Sequence, residues 1–226
     1  MIDKLSLIFN SFPTLLEGTW VTLKITFLSL GLGLVIALPL SFGQVYGGKG
    51  FKAFVVVYER IFRSIPELVI LFLIFYGFPR AGIRFSPFTA VILGLGIRSA
   101  AYQSQIFRGA IQSISATQMR AARSLGMTKF QGFRHVVLPQ AFRVALPPWA
   151  NEFTIVLKDS SLAYALGVTE LLRQGGYIIS TSYEPMLIYL TIAAIYFIIT
   201  FAVNRSLKKL EEALAIPGFE IKESIR

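Results

Sequence analysis

Two long stretches of this chain carry no charge at all, Ile25 to Phe42 and Pro185 to Val203. Each is about long enough for the ~20 apolar residues with which an α-helix crosses a hydrocarbon core. Hydrophobic residues make up 54% of the sequence and charged ones only 15%, a balance that belongs in a bilayer. The apolar segments predict an all-α membrane protein, a single domain over residues 1–226 with five spans near 19–43, 52–78, 86–107, 135–158 and 184–205. The opening, Met1 to Gly18, is moderately amphipathic and is expected at the outer interface. Beyond the last span the charged tail, Asn204 to Arg226, repeats Leu207, Leu210 and Leu214 at helical spacing and is expected at the cytoplasmic surface. The N-terminus has neither a cationic n-region nor a small-residue cleavage site, so no removable signal peptide is expected.

A formal net charge of +10 raises the question of nucleic acid. The basic residues fall between the spans, however, rather than along a soluble surface, and none is expected to bind nucleic acid. Lys49, Lys52, Arg60, Arg63, Arg108, Arg120, Arg123, Lys129, Arg134 and Arg143 lie toward one side, as do five basic residues of the tail. Only Lys4, Lys24, Arg80, Arg84, Arg98, Lys158 and Arg173 lie toward the other side or within the bilayer. Positive residues collect inside, which places the N-terminus outside and the C-terminus in the cytoplasm.

Charges within the bilayer are costly and need a partner or a wet cavity. On the third span Arg98, Tyr102 and Gln105 share one helix face, with Ser99, Gln103 and Ser104 widening its polar side. A guanidinium there suits a carboxylate ligand, or it pairs with a carboxylate of another helix; the sequence leaves both open. On the fourth span Glu152 and Asp159 also fall on one face, flanked by Asn151, Lys158, Ser160 and Ser161. Paired acids would hold an ammonium or a basic side chain, or else Lys158 and Asp159 anchor the helix at the outer interface. The second span carries Glu59, Arg63 and Glu67 at i,i+4 intervals, able to neutralise one another, and Pro66 is expected to kink it.

No catalytic or metal site is expected. The chain has no cysteine and a single histidine, His135. The glycine-rich GQVYGGKG at 43–50 reads as a flexible turn, because Lys49 is followed by Gly50 rather than Ser or Thr. Without a phosphate-binding loop, any use of ATP falls to another polypeptide.

Between the third and fourth spans lies a basic, polar segment, 108–134, containing RAARSLGMTKFQGFRHVVLPQA from Arg120. Ala121, Ala122, Gly126, Leu138 and Pro139 stand at the spacing of the "EAA…G…I-LP" loop of ATP-binding-cassette importers. Arg120 stands where that pattern has Glu. NEFTIVLKDSSL on the fourth span and RSIPELV on the second also resemble segments of the polar amino-acid permeases, the histidine/glutamine/arginine permease-like family. The resemblance covers nearly the whole chain. It implies a five-helix bundle of the type I ABC importer kind with a cytoplasmic coupling helix and no cofactor of its own. It also implies ABC ATPase subunits that use the ATP, a second permease chain, an extracytoplasmic amino-acid-binding protein and surrounding lipid as partners. Arg120, Ala121, Ala122, Gly126, Leu138 and Pro139 would then serve ATPase coupling. Arg98, Tyr102, Asn151, Glu152, Lys158, Asp159 and Ser160 would serve the substrate pathway. A self-sufficient secondary transporter or channel is the rival, with Glu152 and Asp159 as candidate ion-coupling carboxylates. A membrane-embedded enzyme would lack both nucleophile and metal ligands.

Overall fold

A computed structural model describes residues 4–214, and among them the chain is helical with no β-strand. The order is α1 (Lys4–Tyr46), α2 (Lys49–Ser64), α3 (Glu67–Phe72), α4 (Pro87–Ser113), α5 (Ala116–Ser124), α6 (Lys129–Gly132), α7 (Leu138–Asp159), α8 (Leu171–Ser182) and α9 (Pro185–Leu214). Helices α1 and α9 are each long and apolar enough to cross a membrane alone. The α2 helix and the Glu67–Ala81 segment make a third span if taken together.

Several boundaries differ from the sequence expectation. The described part of the opening segment is not a separate element, because it runs unbroken into α1 from Lys4. The second span is broken rather than kinked, with a 104° bend between α2 and the segment from Glu67. Proline explains the break: it disfavours helical backbone at Ile65, which is extended (ψ 132°), and it offers no N–H of its own. The expected loop 108–134 is largely helical, holding the end of α4 and all of α5 and α6. Helix α8 was not foreseen. It begins at Glu170, whose carboxylate accepts from the backbone N–H of Leu172 and of Arg173, each at 2.8 Å. Glutamate is not among the usual N-cap residues, so its signal is easily passed over. The tail continues α9 as far as Leu214, and the rest of it lies outside the described residues.

Helix α4 sits at the centre, packed against α1, α2, α3 and α7. It starts cleanly: Ser86 Oγ accepts from Thr89 N, and Pro87 occupies the first turn. Its contact with α1 is the most extensive in the molecule, and small residues make it possible. A Cβ on Gly96 would come 2.7 Å from Leu32 Cδ2, and one on Gly33 would come 2.5 Å from Gln103 Nε2. Two hydroxyls buried on α1 are satisfied within the helix, where Thr19 and Thr26 donate to carbonyls one turn back at 2.8 Å. One apolar cluster gathers Ile25, Leu71, Leu95 and Ala163; another gathers Ala37, Phe107, Phe133 and Ala141.

The Gly33 contact is with a side chain that three hydrogen bonds hold in place and with the backbone of Ala100 and Gly96, so little can yield. Gly33→Ala is expected to lower stability by ~1–3 kcal/mol, the usual range for overpacking. Thermal unfolding of the purified chain in detergent reads the effect, and an unchanged midpoint would show that α1 and α4 can separate freely.

Candidate functional site

The charged face of α4 meets α3 and α7 at Arg98. Its Nε lies 2.5 Å from Glu67 Oε2 and its Nη1 donates to Asp159 Oδ2 at 3.1 Å. These side chains are 17%, 8% and 28% exposed respectively, shielded enough that each charge needs the other. One turn along α4, the ring of Tyr102 lies under two guanidinium groups, Arg98 at 4.7 Å and Arg63 at 4.9 Å from its centroid. The i,i+4 placement of Arg98 and Tyr102 is as the sequence suggested.

Glu152 and Asp159 do not act as a pair. Asp159 reaches Arg98, whereas Glu152, 3% exposed, accepts from Ser99 Oγ at 2.7 Å. Ser99 accepts in turn from Gln103 Nε2 at 3.0 Å, and Gln103 Oε1 accepts from Trp149 Nε1 at 2.9 Å. Gln103 also donates to the carbonyl of Leu30 on α1 at 3.2 Å. Glu152 is therefore the end of a buried chain joining α7, α4 and α1. Ser160 is buried at the end of α7 and donates to Leu157 O, while Asn151 and Lys158 are exposed.

A second buried acid was read from sequence only as part of a self-neutralising row. Glu59, 2% exposed, accepts from Gln44 Nε2 (3.2 Å), Ser104 Oγ (2.8 Å) and Gln105 Nε2 (2.9 Å). The expected Glu59–Arg63 and Arg63–Glu67 pairs do not form. The second assumed an unbroken helix, and the break at Pro66 turns Glu67 toward Arg98.

The segment between α4 and α7 is built as a self-contained turn. Helix α5 ends in a Schellman motif: Gly126, at φ +83°, donates to Arg123 O, and Met127 N–H donates to Ala122 O. A positive φ is where glycine is needed. A capping box follows, in which Thr128 and Gln131 exchange side-chain-to-backbone bonds at 3.2 and 2.8 Å. Ala122 is buried against Gly132; Arg120 and Ala121 face out. Leu125 is 81% exposed and Phe130 58%. Phe133 packs on Phe42 of α1, ring centroids 4.8 Å apart, and Phe130 lies edge-on to the same ring. The π-helical turn Phe133–Val137 leads into α7, where Leu138 is half-buried and Pro139 sits exposed in the first turn.

Residues 29–215 match the family described as binding-protein-dependent transport system inner membrane component. The chain belongs to that family. It is 38% identical over 211 residues to the nopaline transport system permease protein NocM of Agrobacterium fabrum, covering 89% of this chain and 88% of the relative. It is 37% identical over 213 residues to the glutamine transport system permease protein GlnP of Escherichia coli, covering 93% and 97%. A solved amino acid ABC transporter with histidines superposes with a TM-score of 0.83 at 36% identity, covering 94% of this chain and 99% of that one. The MetNI methionine ABC transporter, at 24% identity and a TM-score of 0.76 over 90% of this chain and 97% of that one, shares the fold. This family member is thus the membrane subunit of an ABC importer with a type I fold, and a self-sufficient transporter is not favoured.

Removing one partner of a buried ion pair costs ~3–5 kcal/mol, because the other charge is stranded. Arg98→Met, which strands Glu67 and Asp159 together, is expected to lose stability at the low end of that range. Glu152→Gln keeps an oxygen for Ser99 and is expected to change stability by less than ~1 kcal/mol. Paired melting curves in one detergent test both, and a reversed order would show that Glu152, not Arg98, holds the helices.

Proposed function

We propose that this chain forms part of the translocation pathway of an ATP-driven amino-acid importer and takes its driving motion through residues 116–132. The observation that carries this reading is the exposure of two apolar side chains, Leu125 and Phe130, on a segment held by the Schellman motif and the capping box that also exposes Arg120 and Arg123. Apolar side chains displayed on so rigid a mount suit insertion into a partner. An ABC ATPase subunit is the partner that family membership implies, and it would bind and hydrolyse the ATP. A second permease chain, identical or homologous, would complete a pathway too wide for five helices. An extracytoplasmic binding protein would deliver the substrate. The names of the relatives, among them permeases of nopaline, glutamine and cystine systems, support an amino acid as cargo. The placement of basic residues supports a cell-membrane location with the N-terminus outside and the C-terminus in the cytoplasm.

Leu125→Asp puts a charge on this exposed apolar position without touching the bundle. Co-expressed with its ATPase, this variant is expected to reach the membrane but to retain less than about a tenth of the ATPase on purification, a loss of ~1.4 kcal/mol or more. Full retention would place the contact elsewhere.

Orientation has a separate test, helped by the absence of native cysteine. Leu125→Cys is expected to react with a membrane-impermeant maleimide in inverted vesicles and not in intact cells. Labelling in intact cells would invert the topology.

A further inference from the structure

Taken as one span, Lys49–Ala81 carries its break at mid-depth. Helix α4 fixes that depth. Arg63, just before the break, stacks on Tyr102, and Glu67, just after it, pairs with Arg98. Both partners stand near the middle of the Pro87–Ser113 helix. Arg63, Ser64 and Pro66 are exposed there, and Ile65 among them is extended (ψ 132°). Acyl chains cannot cover such a place, because hydrocarbon satisfies neither a guanidinium nor non-helical backbone. The exposed side of the break therefore faces water or protein.

That side continues along α3 and the turns after it. Pro66, Val69, Leu73, Tyr76 and Arg80 follow one another at steps of three or four residues, which makes them a single stripe. Ile70, Leu71 and Ile74, on the other side, are buried against Val91 and Leu95 of α4. On the stripe Val69 is 44% exposed, Leu73 55% and Tyr76 60%. With Phe72 and Gly77 they line an open cleft of about 330 Å³, in which Arg80 is the charged group. Water is disfavoured against a wall of Val, Phe and Leu. The stripe thus begins where lipid is excluded and runs on where water is unwelcome. Protein suits both ends.

We propose that this cleft is where a second copy of the chain meets the first, across a two-fold axis along the membrane normal. This rests on the importer reading above, which calls for a second permease chain, and it names the surface that receives it. Such an axis keeps both copies at one depth, so each level of the stripe meets the same level of its twin. Leu73 and Tyr76 then face Leu73 and Tyr76 of the partner subunit, and each cleft takes side chains of the other. Gly77 leaves the room. A Cβ there meets no atom within 4 Å and its backbone is ordinary right-handed helix (φ −81°), so the single chain has no need of glycine at this position. An incoming side chain does.

The test is disulfide formation in a chain that has no native cysteine. Leu73→Cys and Tyr76→Cys are each expressed with the ATPase, and the membranes are oxidised with copper phenanthroline. A disulfide needs its two Cα atoms within about 7 Å, so only a residue beside its own twin joins two copies. Each variant is expected to give at least about tenfold more covalent dimer than Phe197→Cys, which is 70% exposed on α9. Gly77→Leu, added to the Tyr76→Cys chain, fills the cleft from within. It should cut the dimer about tenfold while the purified chain in detergent melts at an unchanged midpoint. Gly77→Ala, which leaves most of the room, should keep the dimer. No dimer at positions 73 and 76, as much dimer at 197, or an undiminished dimer in the Gly77→Leu chain would overturn the proposal. A lowered midpoint would do so too, since the chain would then pack the cleft by itself. So would a cross-linked product whose mass shows a different permease chain. Import is measured with the wild-type complex: failure to import any amino acid would sink the importer reading, and the disulfides judge the cleft in either case.

Discussion

Helix α4 carries a row of polar side chains into the middle of an apolar bundle, and each neighbouring helix is fixed by answering one of them. Arg98 takes Glu67 of α3 and Asp159 of α7. Ser99 takes Glu152 of α7, and Gln103 takes Trp149 of α7 and the Leu30 carbonyl of α1. Ser104 and Gln105 take Glu59 of α2. In lipid, apolar contact between helices gains little over apolar contact with acyl chains, so close packing and polar contacts decide which helix sits where. Helix α2 makes the point most clearly. Its buried residues are Val55 and Glu59, and it is tied to α4 by that carboxylate and by the Tyr58 hydroxyl, which donates to Ile97 O at 2.6 Å.

The opposite demand is met on the side of α4 that faces α1. There Gly96 and, across from it, Gly33 remove the bulk that would hold two long helices apart. Backbones close enough to touch bring Gln103 within reach of Leu30 O, so the small residues and the polar row serve each other. Gln103 is where the two meet, lying against Gly33 of α1 while bonding both the Leu30 carbonyl and Trp149 of α7.

How much of this the sequence disclosed depends on the range of the interaction. Local chemistry was legible: the charge-free runs and the shared face of Arg98 and Tyr102. So was the family, through Ala121, Ala122, Gly126, Leu138 and Pro139. Partner choice across helices was not. Glu152 and Asp159 are seven residues apart and share a face, yet one answers Ser99 and the other Arg98, because α4 offers each a different donor at its height. Glu59 looked self-neutralised for the same reason, since periodicity counts along one helix and cannot see α1 or α4 arriving. Pro66 was recognised, but the size of its bend was not. Helix α8 was missed because its cap is a glutamate and because its anchor, Thr22 accepting from Leu171 N at 3.2 Å, lies far away in sequence.

The turn between α5 and α6 has a consequence in terms of stiffness. Its bonds close on themselves: Ser115 to Thr117, Gly126 and Met127 back onto α5, and Thr128 with Gln131. A piece bonded so completely within itself keeps its shape under load, so compliance belongs to its two attachments. On one side is the extended residue Ile114, where α4 stops. On the other is the π turn Phe133–Val137, whose wider ring of hydrogen bonding is the looser form of helix. Between them lies a segment braced by its own bonds, with Phe133 at its end resting on the Phe42 ring of α1.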